Sequence, residues 1–225
     1  MLFDLKELSV RDGYKLVTGL VVPRPIALVT TVGAEGVVNA APFSFFNLVG
    51  ADPPLVVLGA GNRDPLTPKD TPANIRANGE FVVNVVDEAM LAGMNICAVD
   101  FPAGWSEPDV AGLALAPGSQ VKVPRLAEAP ASLECREHTT LLIGRNRVTL
   151  GQVVAVWIRD DLVDAQRLHV HTGRMHPIGR MGGAGGYTYT RDGFEMPRMD
   201  FGEWQNLTAA GADLPGPHPR PGMNE

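Results

Sequence analysis

Two segments of the chain combine groups that a hydrophobic core has no use for. The first, NAAPFSFFN from Asn39 to Asn47, sets a proline and a serine among three phenylalanines and closes on an amide. Asn47 both donates and accepts hydrogen bonds, as the edge of a pyrimidine-type ring demands, and Ser44 adds a hydroxyl. Phe45 and Phe46, with Phe43, offer flat apolar contact, and Pro42 interrupts ladder pairing so that nearby backbone groups stay free for a ligand. The second segment, RDPLTPKDTPANIR, places Lys69, Asp70 and Thr71 where a helix should begin. A helix N-terminus presents amide N–H groups and a positive dipole end to anions, and Lys69 adds a full charge there. Asp70 would compete with an anion if it capped the helix, so it must point aside or bind something else. Taken singly, the first segment also reads as a core strand with a bulge, and the second as a solvated helix start. Together they suit a flat heteroaromatic ligand with an anionic tail.

Other chemistries find no support. The chain has no GxxxxGK[ST] phosphate loop, GxSxG elbow, HExxH zinc motif or EF-hand loop. The glycines at Gly59–Gly61 and Gly182–Gly186 lack the strand–turn–helix order of a dinucleotide fold. His169 and His171 would share one face of a strand, but no local Cys, Asp or Glu completes a metal site. No metal is expected, and no side-chain triad presents itself as catalytic. Cys97 and Cys135 are far apart and form no CxxC pair, which suits two buried thiols in a reducing compartment.

The elements that must position these groups are mostly strands. Segments rich in Val, Ile, Thr and aromatics run over 16–22, 26–32, 37–49, 55–60, 80–86, 132–143 and 147–160, punctuated by Gly, Pro, Asn and Asp. GAEG between the second and third reads as a hairpin turn with Gly36 at positive φ. Helices are few. DTPANIRANG has Thr71 as N-cap, Pro72 in the first turn and Gly79 as stop. DEAMLAGMNICA lines up Met90, Met94 and Cys97 as an apolar stripe, read as core or subunit packing. Residues 101–130, rich in Pro, Ala and Gly with QVKV as a short strand, read as a functional flap or an arm packed on a partner. Many short strands, few helices and no βαβ rhythm predict an antiparallel barrel.

At 225 residues the chain suits one large domain, here residues 1–202, followed by a Pro/Gly-rich tail over 203–225. A net charge of −6 without any Lys/Arg run argues against a nucleic-acid surface. The charged residues among the first fifteen exclude a signal peptide, and no run of eighteen apolar residues predicts a membrane span, so the expected location is cytoplasmic.

The ordered motifs PRPIALVTT, NAAPFSFFN followed by DPP, KDTPANI, GEFVVNVV, LECRE and PIGRMGG with a later Tyr carry a resemblance. From about Gly13 to Tyr189 the chain resembles the flavin reductase-like family of FMN-binding split barrels. The resemblance implies a mainly β, six-stranded Greek-key barrel with a few short helices, a homodimer, and FMN at the dimer interface. It implies Thr30 and Thr31 beside the ribityl or phosphate, Ser44, Phe45, Phe46 and Asn47 along the isoalloxazine, and Lys69, Asp70 and Thr71 near the phosphate. Arg180 is a further contact for phosphate or nicotinamide. The long 101–130 insert departs from the shorter two-component reductases and is closer to flavoredoxin-like carriers. The implied activity is an NAD(P)H:flavin oxidoreductase, with NADH or NADPH as co-substrate, that passes reduced flavin to oxygen, free flavin or a partner oxygenase. No side-chain acid or base is needed, because the flavin carries the chemistry. An FMN electron carrier without NAD(P)H activity and a flavin-free scaffold are the alternative readings.

Overall fold

The computed structural model describes residues 1–64, 67–102, 104–212 and 215–219. Its centre is an antiparallel sheet of strands β1 (Ala27–Val32), β2 (Val38–Phe43), β3 (Phe46–Ala51), β4 (Pro54–Gly61), β5 (Glu80–Val85), β6 (Ala131–Ile143) and β7 (Asn146–Ile158). The order across the sheet is β2-β1-β5-β6-β7-β4-β3. The two outermost strands are therefore consecutive in sequence. Only Ser44 and Phe45 separate β2 from β3, so the stretch 37–49, expected as one strand, is one strand bent at a corner. One half pairs with β1 (Ala27 opposite Phe43) and the other with β4 (Phe46 opposite Leu58). Counted that way, seven segments make six strands, and the corner joins the two edges into a barrel. Gly59 N–H donates to the Phe45 carbonyl at 2.7 Å, locking the corner to β4.

Period-two alternation then divides the apolar residues between two sides of the sheet. Ala27 and Val29 of β1, Phe81 and Val83 of β5, and Val56 and Leu58 of β4 share an inner cluster with Cys135. Helix α2 (Asp70–Asn78) closes this cluster with Ile75 and stops on Gly79, which sits at φ 71°. Ile26 and Leu28 face outward into a second cluster with Met90, Met94 and Cys97, the stripe on and around α3 (Leu91–Ile96). That stripe is core within the chain. The GAEG turn closes with Gly36 N–H on the Gly33 carbonyl and Gly36 at φ 80°, as its sequence demands.

Three local expectations are corrected. Residues 16–22, expected as a strand, lie mostly in helix α1 (Val10–Leu20), because Ser9 caps it by accepting from Asp12 N–H and the helix spacing outweighs the β-branched composition. Thr71 is not the cap of α2; Lys69 holds that place, and the Thr71 hydroxyl is engaged by Asn39 instead. QVKV is not a strand; its neighbours Leu115–Ala116 and Arg125–Leu126 pair with each other. A helix over Phe201–Ala210, with a reciprocal capping box between Asp200 and Glu203, crosses the expected start of the tail.

The insert is stitched to the barrel by buried polar groups. Glu134, 3% exposed, accepts from the Ser119, Gln120 and Val121 N–H groups and the Ser119 hydroxyl. Burial alone would raise its pKa, but those donors bring it below the ordinary value. Asn84 accepts from Leu126 N–H and the Ser132 hydroxyl while donating to the Leu28 carbonyl.

Candidate functional site

A pocket of about 120 Å³ opens where β2 meets the start of α2, walled on its far side by the chain after α3. The β2 register puts Asn39 against α2, where its Nδ2 donates to the Thr71 hydroxyl at 3.0 Å. Thr71 is fully buried by that bond and Asn39 nearly so, which fixes the first turn of α2 to the strand. No side chain caps this helix, and of its first-turn residues Asp70 and Thr71 carry an N–H while Pro72 does not. Lys69 and Arg63 bring two cations to the rim. Asp70 lines the pocket as well and forms an ion pair with Arg63; Lys69 Nζ stands 4.0 Å from Asp100.

Glu107, first residue of α4 (Glu107–Ala111), forms part of the pocket floor. Its carboxylate accepts from Ala40 N–H at 3.0 Å on β2, and 8% of the residue is exposed. Burial raises its pKa, the Ala40 bond opposes the shift, and Asp70 adds to it. Cys97 lines the same pocket, its thiol pushed up to about 12 by burial and then by Glu107.

The expected site residues divide into four groups. Lys69, Asp70 and Thr71 come together with Pro42 and Phe43 in the pocket. Ser44, Phe45, Phe46 and Asn47 form the corner beside it: Phe46 packs on the inner cluster, Phe45 is 47% exposed, and Asn47 is exposed with its Oδ1 accepting from Leu48 N–H. Ser44 Oγ accepts from Arg24 Nε at 3.3 Å. Thr30 and Thr31 lie on β1 with no solvent exposure; Thr30 donates to the Pro124 carbonyl and Thr31 accepts from Asn74 of α2. Arg180 is outside the pocket, donating to the Gly183 and Gly186 carbonyls and lying over the Tyr187 ring.

Sequence reading passed over Asn39, Arg63, Glu107 and Arg24. The first two lie inside the quoted motifs and were legible as polar groups beside the chosen ones. Arg24, in PRPIALVTT, is buried and donates to the Thr18, Val21 and Met181 carbonyls as well as to Ser44, tying α1 to the corner. Glu107 carried no local signal, since its partner is 67 residues away. His169 and His171 sit edge to face with ring centroids 5.5 Å apart, away from this pocket.

The barrel with its corner strand and the pocket at α2 has known relatives. A family model described as a flavin reductase like domain matches residues 19–179. The chain belongs to that family. A Deinococcus radiodurans protein is 49% identical over 208 residues, spanning 90% of this chain and 92% of its own. The 2-nitrobenzoate 2-nitroreductase of Pseudomonas fluorescens superposes with a TM-score of 0.82 at 37% identity, over 89% of this chain and 98% of that one. Nitrilotriacetate monooxygenase component B from Bacillus cereus superposes with a TM-score of 0.83 at 33% identity, over 87% and 98%. As a flavin reductase-like protein the chain is a flavin-dependent oxidoreductase, and its six-stranded sheet is the split barrel of the family. Among the described residues no helix is long and apolar enough to cross a membrane.

Proposed function

We propose that the chain is an FMN-dependent NAD(P)H:flavin oxidoreductase acting as a homodimer. The observation that carries the reading is the pocket that sets the uncapped start of α2, with Lys69 and Arg63, against Pro42 and Phe43, the strand end that leads into the corner Ser44–Asn47. The pocket's two cations and helix start suit a phosphate, and none of the corner residues Ser44–Asn47 lines it. The ring therefore belongs outside it, along Pro42, Phe43 and the exposed corner, where a second copy would cover it.

Within this reading Lys69, Arg63 and the first-turn N–H groups of α2 hold the phosphate. Asn47 and Ser44 present hydrogen-bonding groups to the ring edge, and Phe45 gives it an apolar contact. Thr30 and Thr31, closed off from solvent, act by position: Thr31 holds Asn74 of α2, and Thr30 holds the insert through Pro124. Arg180 supports the Gly183–Gly186 turn in the same indirect way. Bound FMN supplies the hydride acceptor, its N5, and the chain's task is to place the ring with one face open to a dihydronicotinamide. Likeness to a monooxygenase component supports transfer of the reduced flavin to a partner oxygenase.

Purified protein should turn yellow with FMN, and anaerobic NADH or NADPH should bleach it. Colour that survives both coenzymes would select an electron carrier; absence of FMN binding would overturn the reading.

A further inference from the structure

Beyond the Lys69 pocket, two rings of the insert lie almost parallel. Phe101 and Trp105 have centroids 5.8 Å apart and planes 10° from parallel. Phe101 is a wall of the pocket that holds Lys69 and Thr71. Trp105 lines an adjoining hollow, also of about 120 Å³, and the two hollows share Asn39, Asp70 and Glu107. While residues 119–126 are tied down by Glu134 and Asn84, Trp105 keeps 54% of its surface in water. A stacked, half-exposed indole is a surface on which a purine can lie, since every base has a π-face and aromatic rings accept it with little sequence or edge requirement.

The cations give the occupant its chemistry. Lys69 Nζ is 4.0 Å from Asp100, the residue next to Phe101, and Arg63 is on the same rim. FMN ends at its phosphate. A ligand that continues past that phosphate runs toward Asp100 and Phe101, and its second phosphate would share Lys69 and Arg63 with the first, displacing Asp100 and Asp70 from them. We propose that the Phe101–Trp105 stack is a platform for the adenine of a ligand bearing adenosine diphosphate, with its phosphates at Lys69 and Arg63. FAD is the source that fits, because a nicotinamide coenzyme acting on bound FMN would find Lys69 and Arg63 already holding the flavin phosphate. The inference rests on the phosphate position proposed above.

The test compares Trp105→Ala with the parent and with Trp105→Phe, after circular dichroism shows all three folded; the exposure of Trp105 makes folding safe. Titrations measure the affinity for FMN, FAD and ADP, and steady-state assays on FMN-loaded protein measure KM and kcat for NADH and NADPH. Loss of the stacking surface should weaken ADP by roughly tenfold, with FMN unmoved and Trp105→Phe restoring most of it. FAD should weaken in parallel while KM and kcat for both coenzymes stay unchanged on FMN-loaded protein; a rise in KM without a loss for FAD would put the coenzyme on the platform and overturn the assignment. If FMN binds but ADP, FAD and both KM values ignore the substitution, or if FMN weakens as much as FAD, the platform is refuted. Failure of the parent to bind FMN at all would instead refute the flavin reading beneath it.

Discussion

Lys69 has a counter-charge nearby in Asp100, but at 4.0 Å and with both side chains well exposed that pair is worth little. A phosphate dianion backed by the α2 amides should displace it. Lys69→Ala should therefore weaken FMN by about tenfold, as loss of a charge-assisted hydrogen bond implies, and leave riboflavin, which lacks phosphate, nearly unchanged. Fluorescence titration of both flavins decides it, and equal losses would remove the phosphate from this pocket. Glu107 titrates in the opposite sense to an ordinary paired carboxylate. Its folded pKa is raised, by burial first, so the native state holds the proton more tightly than the unfolded chain. Its contribution to stability is full at low pH and declines as pH climbs from 4.5 through the raised value. The amide of Glu107→Gln can still accept from Ala40, and Arg63 and Asp70 remain, so the gap in melting temperature between variant and parent should widen with pH across that window. A constant gap would show that Glu107 is ionised without penalty. Lys69 and Thr71 were legible beforehand because helix-start residues act locally. Glu107 was not, because its place in the pocket exists only once α4 lies against β2.

Elements were read well where alternation ruled and poorly where a single segment served two roles. The strands over 80–86, 132–143 and 147–160 fell within two residues of β5, β6 and β7, since their apolar alternation is what fills both sides of the sheet. The bend at Ser44–Phe45 could not be seen, because the pairing of β2 with β1 and of β3 with β4 is a property of the closed sheet. Gly59 makes that bend fit. A Cβ there would stand 3.0 Å from the Phe45 Cβ, so Gly59→Ala must push the corner outward. The expected cost is about 1–3 kcal/mol by urea unfolding, with weakened FMN binding from a displaced Ser44–Asn47. Parent-like stability and affinity would mean that the corner tolerates movement. The insert, readable as flap or arm, is held near its middle by Glu134. Glu134→Gln should cost about 1.5–3 kcal/mol at neutral pH, measured by the same unfolding. Because the folded pKa of Glu134 is lowered, that difference should fade as pH drops through its depressed value. Persistence of the full difference in acid would assign it to packing instead.

At the scale of the molecule, one quantity stands out of proportion. The accessible surface is 14190 Å² for 24.0 kDa. A compact monomer of that mass exposes roughly 10,000 Å². The excess of about 4,000 Å² per chain is more than the roughly 1,000–2,500 Å² that each partner gives to a permanent dimer, so covering one face accounts for part of it. Part of the exposed surface is apolar: Phe45 at the corner, Leu48 and Val49 on β3, and Leu141, Leu142 and Ile143 at the end of β6. Successive residues exposed at that strand end belong to a hairpin that runs past the barrel, and such a tip is stable in water chiefly when another surface takes it up. In the proposed reading a second copy also roofs the corner, and so covers the ring whose phosphate lies in the pocket at α2. The parent should sediment as a dimer at micromolar concentration. Leu142→Glu and Leu48→Glu, both solvent-facing in one copy and so harmless to its fold, should sediment as monomers and lose bound FMN together with the dimer. A parent that is monomeric yet retains FMN, or glutamate variants that separate the copies without releasing flavin, would mean that the ring is held by one chain alone.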